Sequence, residues 1–151
     1  MAVTRTQVET LLIRRAGKRM AFVEFSKEIS GSNPDLSDPI SFALLAMSIT
    51  PADITTPTDA DLATVTNEQI GELLDRAELR LLQNILGNMD AVSLSVDGRS
   101  ESYGQITVSL EQAITRLQAK VDADYAGAGN TLTGGLIIQN FTSKGDDVVL
   151  L

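Results

Sequence analysis

The chain has 151 residues, 12 Lys plus Arg against 20 Asp plus Glu for a net charge of −8, and a hydrophobic fraction of 43%; these values fit one globular domain or one domain with an appendage. It contains no His, Cys or Trp, which excludes disulfides, thiol nucleophiles, Ser-His catalysis and structural zinc. The acidic balance disfavours free-standing nucleic-acid binding, because no global field attracts phosphates.

Thr6 and Glu9 have capping-box spacing, and Val8, Leu11 and Leu12 follow at helical spacing up to Gly17; a first helix is predicted over Gln7 to Ala16. Residues 18–30 carry Met20, Phe22, Val23, Phe25 and Ile29 without a clear period, so strand and helix both stay open there. Ser30 to Pro34 reads as a loop, and Asp38-Pro39 as an N-cap and first-turn proline opening a short helix through Phe42, Leu45, Ala46 and Ile49 that Pro51 ends. From Pro51 to Thr66 the Thr, Asp and Pro content is that of a connector, with one helical turn near Ala60 to Ala63. Thr66 and Gln69 form a second capping pair, after which Ile70, Leu73, Leu74, Ala77, Leu81, Leu82 and Ile85 mark one face of a long helix closing at Gly87-Asn88.

Val92, Leu94 and Val96 then alternate with serines, and Asp97-Gly98 follows, which predicts a strand turning into a hairpin. Thr107 is the expected N-cap of a last helix with an inner stripe of Leu110, Ile114, Leu117 and Val121. Beyond Tyr125, Gly127, Gly129, Gly134 and Gly135 bracket a segment that cannot hold a regular element without a large entropic cost. This predicts an extended arm over 126–151, whose 26 residues could reach about 85 Å. The expected fold is mainly α: a helical bundle with one small antiparallel β-hairpin at 91–106 in a body spanning 1–125, followed by the arm. With four Phe and two Tyr as its only aromatic residues, the core must be built from Leu, Ile, Val, Ala and Met.

Charge is unevenly placed. Residues 1–30 hold six basic and three acidic side chains, whereas residues 31–66 hold five acids and no base. Arg14, Arg15, Lys18 and Arg19 read first as a solvated helix end complementing the dipole, and second as a contact for an acidic neighbour, such as another copy of the chain. The N-terminal segment lacks the apolar core of a signal peptide, so the Asn140-Phe141-Thr142 sequon has no secretory context. No apolar stretch approaches the roughly 20 residues of a membrane span, so no membrane partner is expected.

Catalytic chemistry finds little footing. Glu72 and Asp75, on adjacent turns, read as the wet face of a helix and not as a glycosidase pair. Neither glycine cluster follows a strand and opens a helix, and Asp146-Asp147 lacks the further oxygen ligands of a calcium site. No catalytic residue, metal or cofactor is expected. The terminal patches differ: Leu136, Ile137, Ile138 and Phe141, then Val148, Val149 and Leu150, are β-prone and apolar behind a glycine spacer. They are the candidate partner-binding residues by strand addition, together with Asp97, Gly98 and Arg99 at the hairpin tip. Their plainer reading is a last strand folded back on its own domain and a hairpin that serves the core.

From Ile70 onward, the order of helix, hairpin with Asp97-Gly98-Arg99, Tyr103, the Thr107 cap and then Leu110, Ile114 and Leu117 resembles the head-completion proteins of tailed bacteriophages. With a helical region before it and an arm after it, the chain is similar to the head-tail adaptors, or connectors, of that group. The resemblance covers about 50 residues on a generic motif, and the N-terminal half departs from the compact joining proteins. It implies a structural virion protein of the neck, assembled in the host cytoplasm as a homo-oligomeric ring, with a dodecamer expected. Its implied neighbours are the portal protein and a tail or tail-terminator protein, and DNA would be a non-specific passenger in the channel, which negative charge would let slide. Two other classes remain: a cellular acidic interaction module, an antitoxin or regulatory subunit whose tail orders on its partner, and a carboxylate hydrolase.

Overall fold

The computed structural model describes residues 2–93 and 100–125, with side-chain detail for 2–89 and 104–125. Five α-helices make up most of this: α1 (Arg5–Phe22), α2 (Pro34–Ala46), the single turn α3 (Asp59–Leu62), α4 (Ile70–Ser93), entered through a 3-10 turn at Asn67–Gln69, and α5 (Ser100–Tyr125). No strand occurs among the described residues, and the mainly helical expectation holds.

The long helix α4 is the centre of the packing and lies against both α1 and α2. Its predicted stripe is the one that faces inward: Leu73, Leu74, Ala77, Leu81, Leu82 and Ile85 are buried, and Ile70 packs at the edge. Val8, Leu12, Ala16 and Met20 of α1, each four residues from the last, meet it from one side, and Leu36, Ile40, Ala43 and Leu44 of α2 from the other. Leu62 and Val65 close the same cluster, and Leu110 of α5 joins it. The fully buried side chains are apolar apart from Arg5, Glu9 and Asn33, and each large apolar one contributes roughly 1.5–3 kcal/mol through area removed from water. The chain divides into two units, the first ending at Gln118; the described part of the second, residues 119–125, continues α5 and carries a Lys120–Asp124 ion pair at 3.6 Å.

Helix limits depart from expectation at several points. The first N-cap is Thr4, not Thr6: the Gln7 N–H donates to Thr4 Oγ1 (3.3 Å), and the Thr4 N–H to Gln7 Oε1 (3.0 Å). Helix α1 then passes through Gly17 to Phe22, because continuing it places Met20 in the core on the stripe of Val8, Leu12 and Ala16. Residues 18–22, left open by their pattern, are therefore helical. Helix α2 opens at Asn33-Pro34 and not at Asp38-Pro39; the Asn33 side chain accepts from the Asp35 N–H at 2.9 Å, and Pro39 lies inside the helix.

The expected hairpin at 91–106 is corrected. Residues 91–93 belong to α4, which runs through Gly87 and Asn88, and residues 100–106 belong to α5, which starts about two turns before Thr107; residues 94–99, with the expected turn, lie outside the described residues. Met89 is buried one turn beyond Ile85, so continuing α4 adds a core contact and one hydrogen bond per residue. A lone two-stranded ribbon has no third strand to share its apolar face.

Both α1 and α2 end in Schellman motifs without glycine. The Phe25 N–H donates to Met20 O (3.0 Å) over Glu24 at φ 60°, and the Ile49 N–H to Leu44 O (2.8 Å) over Ser48 at φ 65°. A left-handed L-residue carries a steric cost of about 1–2 kcal/mol. Ser48→Gly is therefore expected to raise stability by up to about 1 kcal/mol after the extra unfolded-state entropy of glycine is deducted, and urea denaturation would show it as a higher midpoint at unchanged slope.

Candidate interaction surface

The largest polar assembly is internal. Arg5, in the first turn of α1, is 1% exposed and pairs with Glu9, 0% exposed, through Nε–Oε1 at 3.0 Å. Its remaining donors reach Pro57 O (2.6 Å), Asn33 O (2.8 Å) and Ser37 Oγ (3.0 Å). Glu9 accepts from the backbone N–H groups of Gly31 and Asn33, each at 2.8 Å. Gly31 has φ +83°, and a Cβ there would meet Thr6 Oγ1 at 3.3 Å, so only glycine presents that N–H without strain. The Asn33 amide in turn donates to Ser26 O (2.8 Å) and Glu28 O (2.9 Å). One guanidinium and one carboxylate thus tie α1 to the 26–37 segment and to the 57–59 bend. The group is hydrogen-bonded throughout, which suits a staple and not a reacting centre.

The acidic stretch 31–66 is spent in the same way. Asp35 accepts from the Ser26 N–H (2.7 Å), Asp59 from the Arg5 N–H (2.6 Å), Asp53 from the Thr55 N–H (2.8 Å), and Asp61 from the N–H groups of Thr58 (2.7 Å) and Ala52 (3.0 Å). These bonds hold the Asp53 and Asp61 carboxyls below the usual carboxylate range: for Asp53 the Thr55 hydroxyl contributes most, and for Asp61 the Ala52 N–H. Both stay ionised, so the surface remains negative while its loops are ordered. On the basic side, Arg15 bridges α1 to α4 by contacting Asp75 (2.9 Å) and Glu78 (3.1 Å), which places Asp75 in a structural tie. Glu72 pairs with Arg76 at 2.8 Å.

The fifth acid, Asp38, faces α4. Its carboxylate accepts from Arg80 Nε (2.8 Å) and Asn84 Nδ2 (2.8 Å), and the Arg80 guanidinium lies 4.9 Å from the centroid of Phe42, one turn along α2. The Arg80 hydrogen bond is the main cause of a lowered Asp38 pKa. A carboxyl that titrates lower when folded contributes stability that is complete above its unfolded value, about 3.9, and disappears as pH falls through the lowered folded value. Arg80→Met is expected to return the Asp38 midpoint towards 3.9 in an NMR titration of the side-chain carboxyl carbon; an unmoved midpoint would contradict the contact.

Two surfaces of the first unit have the chemistry of a docking site. One is a cleft of about 450 Å³ where the start of α1 meets the start of α4, with Val3, Val8, Leu11 and Ile70 as its apolar lining and Gln7 and Asn67 among its polar groups. The other is an outward apolar set around the end of α2: Phe42 and Leu45 are 41% and 47% exposed, and Ile54 is 58% exposed. The sequence signal for the second was available, since Ile40, Phe42, Ala43, Leu44 and Leu45 leave α2 apolar all round. The cleft has no such signal, because it is assembled from segments sixty residues apart in the chain.

All the residues predicted to bind partners, Asp97, Gly98 and Arg99 together with Leu136, Ile137, Ile138, Phe141, Val148, Val149 and Leu150, lie outside the described residues. Among the described residues no cluster of three or more potential metal ligands occurs, and no helix is long and apolar enough to cross a membrane. No family model, curated protein or solved structure matches the chain.

Proposed function

We propose that this protein is a structural virion component: a head-tail adaptor that forms a homo-oligomeric ring, a dodecamer, beneath the portal protein, joins capsid to tail and lets DNA pass through its channel. The observation that carries the reading is the presence of two unlike apolar surfaces on one stapled helical body, the α1–α4 cleft and the Phe42, Leu45 and Ile54 set. Two different surfaces suit heterologous contacts, which repeat from subunit to subunit and close into rings. The ionised carboxylates of the 31–66 stretch suit a channel whose charge repels the DNA backbone. The arm, with its apolar patches behind a glycine spacer, supplies the tether to a neighbour, the portal or the tail-terminator protein. Light scattering on the full chain tests this. A mass many times the 16.1 kDa of one chain is expected, whereas a dimer or a small hetero-complex would favour an acidic regulatory module such as an antitoxin.

A further inference from the structure

Resting on the ring reading, we propose that the cleft between the starts of α1 and α4 receives the apolar segment Leu136–Phe141 of a second copy of this chain. The cleft's volume of about 450 Å³ lies within the range of sites that take a few side chains, roughly 300–1,000 Å³. None of the residues lining it is charged, and the chain from Ala126 to Ser143 carries no charged side chain either. Seating Leu136, Ile137 and Ile138 on the half-buried Leu11 and Ile70 therefore buries apolar surface on both sides without desolvating an ion.

Charge complementarity continues beyond the cleft. Leu11, Arg14 and Lys18 follow one another at helical spacing along α1, and Arg14 and Lys18 are exposed. The segment is followed by Lys144 and then by the pair Asp146 and Asp147, a net negative run. The nine residue steps from Ile138 to Asp147 can reach about 30 Å, while Leu11 to Lys18 spans about 10 Å of helix, so acids and bases meet with chain to spare. The ten residues between the end of α5 at Tyr125 and Leu136 can extend about 36 Å, a reach that lets the segment lie on a neighbouring chain. Donor segment and acceptor cleft are different parts of the chain, so each subunit gives one and takes one, and the contact propagates until a ring closes.

The absence of cysteine from the chain permits a direct test on the full-length protein carrying Thr10→Cys in the cleft and Ile138→Cys in the arm. Mild oxidation is expected to give a ladder of disulfide-linked multimers on a non-reducing gel, while either single substitution gives none beyond a dimer. A link confined to the monomer would overturn the proposal, with the chain's own arm as occupant. Failure to link in a sample that light scattering shows to be a ring would also overturn it while leaving the ring reading intact. A monomeric mass for the unsubstituted chain would remove the ring reading and this contact together.

Discussion

Arg5→Ala is expected to cost about 3–5 kcal/mol of folding stability, the range seen when one partner of a buried ion pair is removed. The expectation follows from what the guanidinium leaves behind. Glu9, fully buried, would keep the Gly31 and Asn33 N–H groups but lose its counter-charge, and Pro57 O would lose a donor at 2.6 Å. An unsatisfied buried acceptor alone costs about 1–3 kcal/mol. Glu9→Gln should be milder, because the amide oxygen can still accept from one backbone N–H and Arg5 keeps its bonds to Pro57 O, Asn33 O and Ser37 Oγ. Equilibrium urea denaturation of both variants checks the order. A loss below about 1 kcal/mol for Arg5→Ala would place the pair with surface salt bridges and contradict its role as the tie between α1 and the two loops.

Deleting Gly134 to Leu151 is expected to abolish assembly altogether while leaving the helical body in place. The removed residues include every apolar side chain of the arm beyond the glycine pair, and none of the residues that form the core cluster around α4. Far-ultraviolet circular dichroism should therefore keep its helical signal, while light scattering falls to the mass of a single chain and incorporation into particles ceases. Normal incorporation of the truncated chain would take the arm out of the mechanism. Loss of helical signal would show that the tail supports its own body, which is the fold-back reading of the same apolar patches.

The two predictions test different levels of the molecule, and the sequence announces them unequally. The α4 stripe is legible because Leu73, Leu74, Ala77, Leu81, Leu82 and Ile85 repeat at helical spacing and all point at the core. Helix ends are poorly legible because the ordinary punctuation misleads. Gly17 and Gly87 lie inside helices, while the left-handed termini are Glu24 and Ser48. Thr4–Gln7 and Thr6–Glu9 are overlapping capping patterns. The first wins because Glu9 is taken by Arg5, Gly31 and Asn33 in the interior, a set of contacts between residues that no local window contains. The choice between Asn33-Pro34 and Asp38-Pro39 is decided likewise: Asn33 is held by Ser26 and Glu28, and Asp38 is drawn to Arg80 and Asn84 on α4. The period-two pattern that begins at Val92 is overridden where the chain is described: beside a long helix with Met89 still in the core, residues 91–93 continue the helix.

For the interaction surface, composition conveys the general idea and not the place. An apolar tail behind glycines is visible in the chain, and so is the excess of apolar residues on α2. The cleft requires the fold, since Val3 and Leu11 meet Ile70 and Asn67 only after α4 has packed against α1. The basic run that reads as a uniform patch resolves into unlike parts, with Arg15 engaged by Asp75 and Glu78 and Arg14 and Lys18 on the surface.

Negative-stain electron microscopy of the purified full-length chain tests the adaptor reading most directly. Annular particles with a central opening wide enough for duplex DNA are the expected image. A field of single small bodies or two-lobed dimers, at concentrations where the arm is intact, would contradict it.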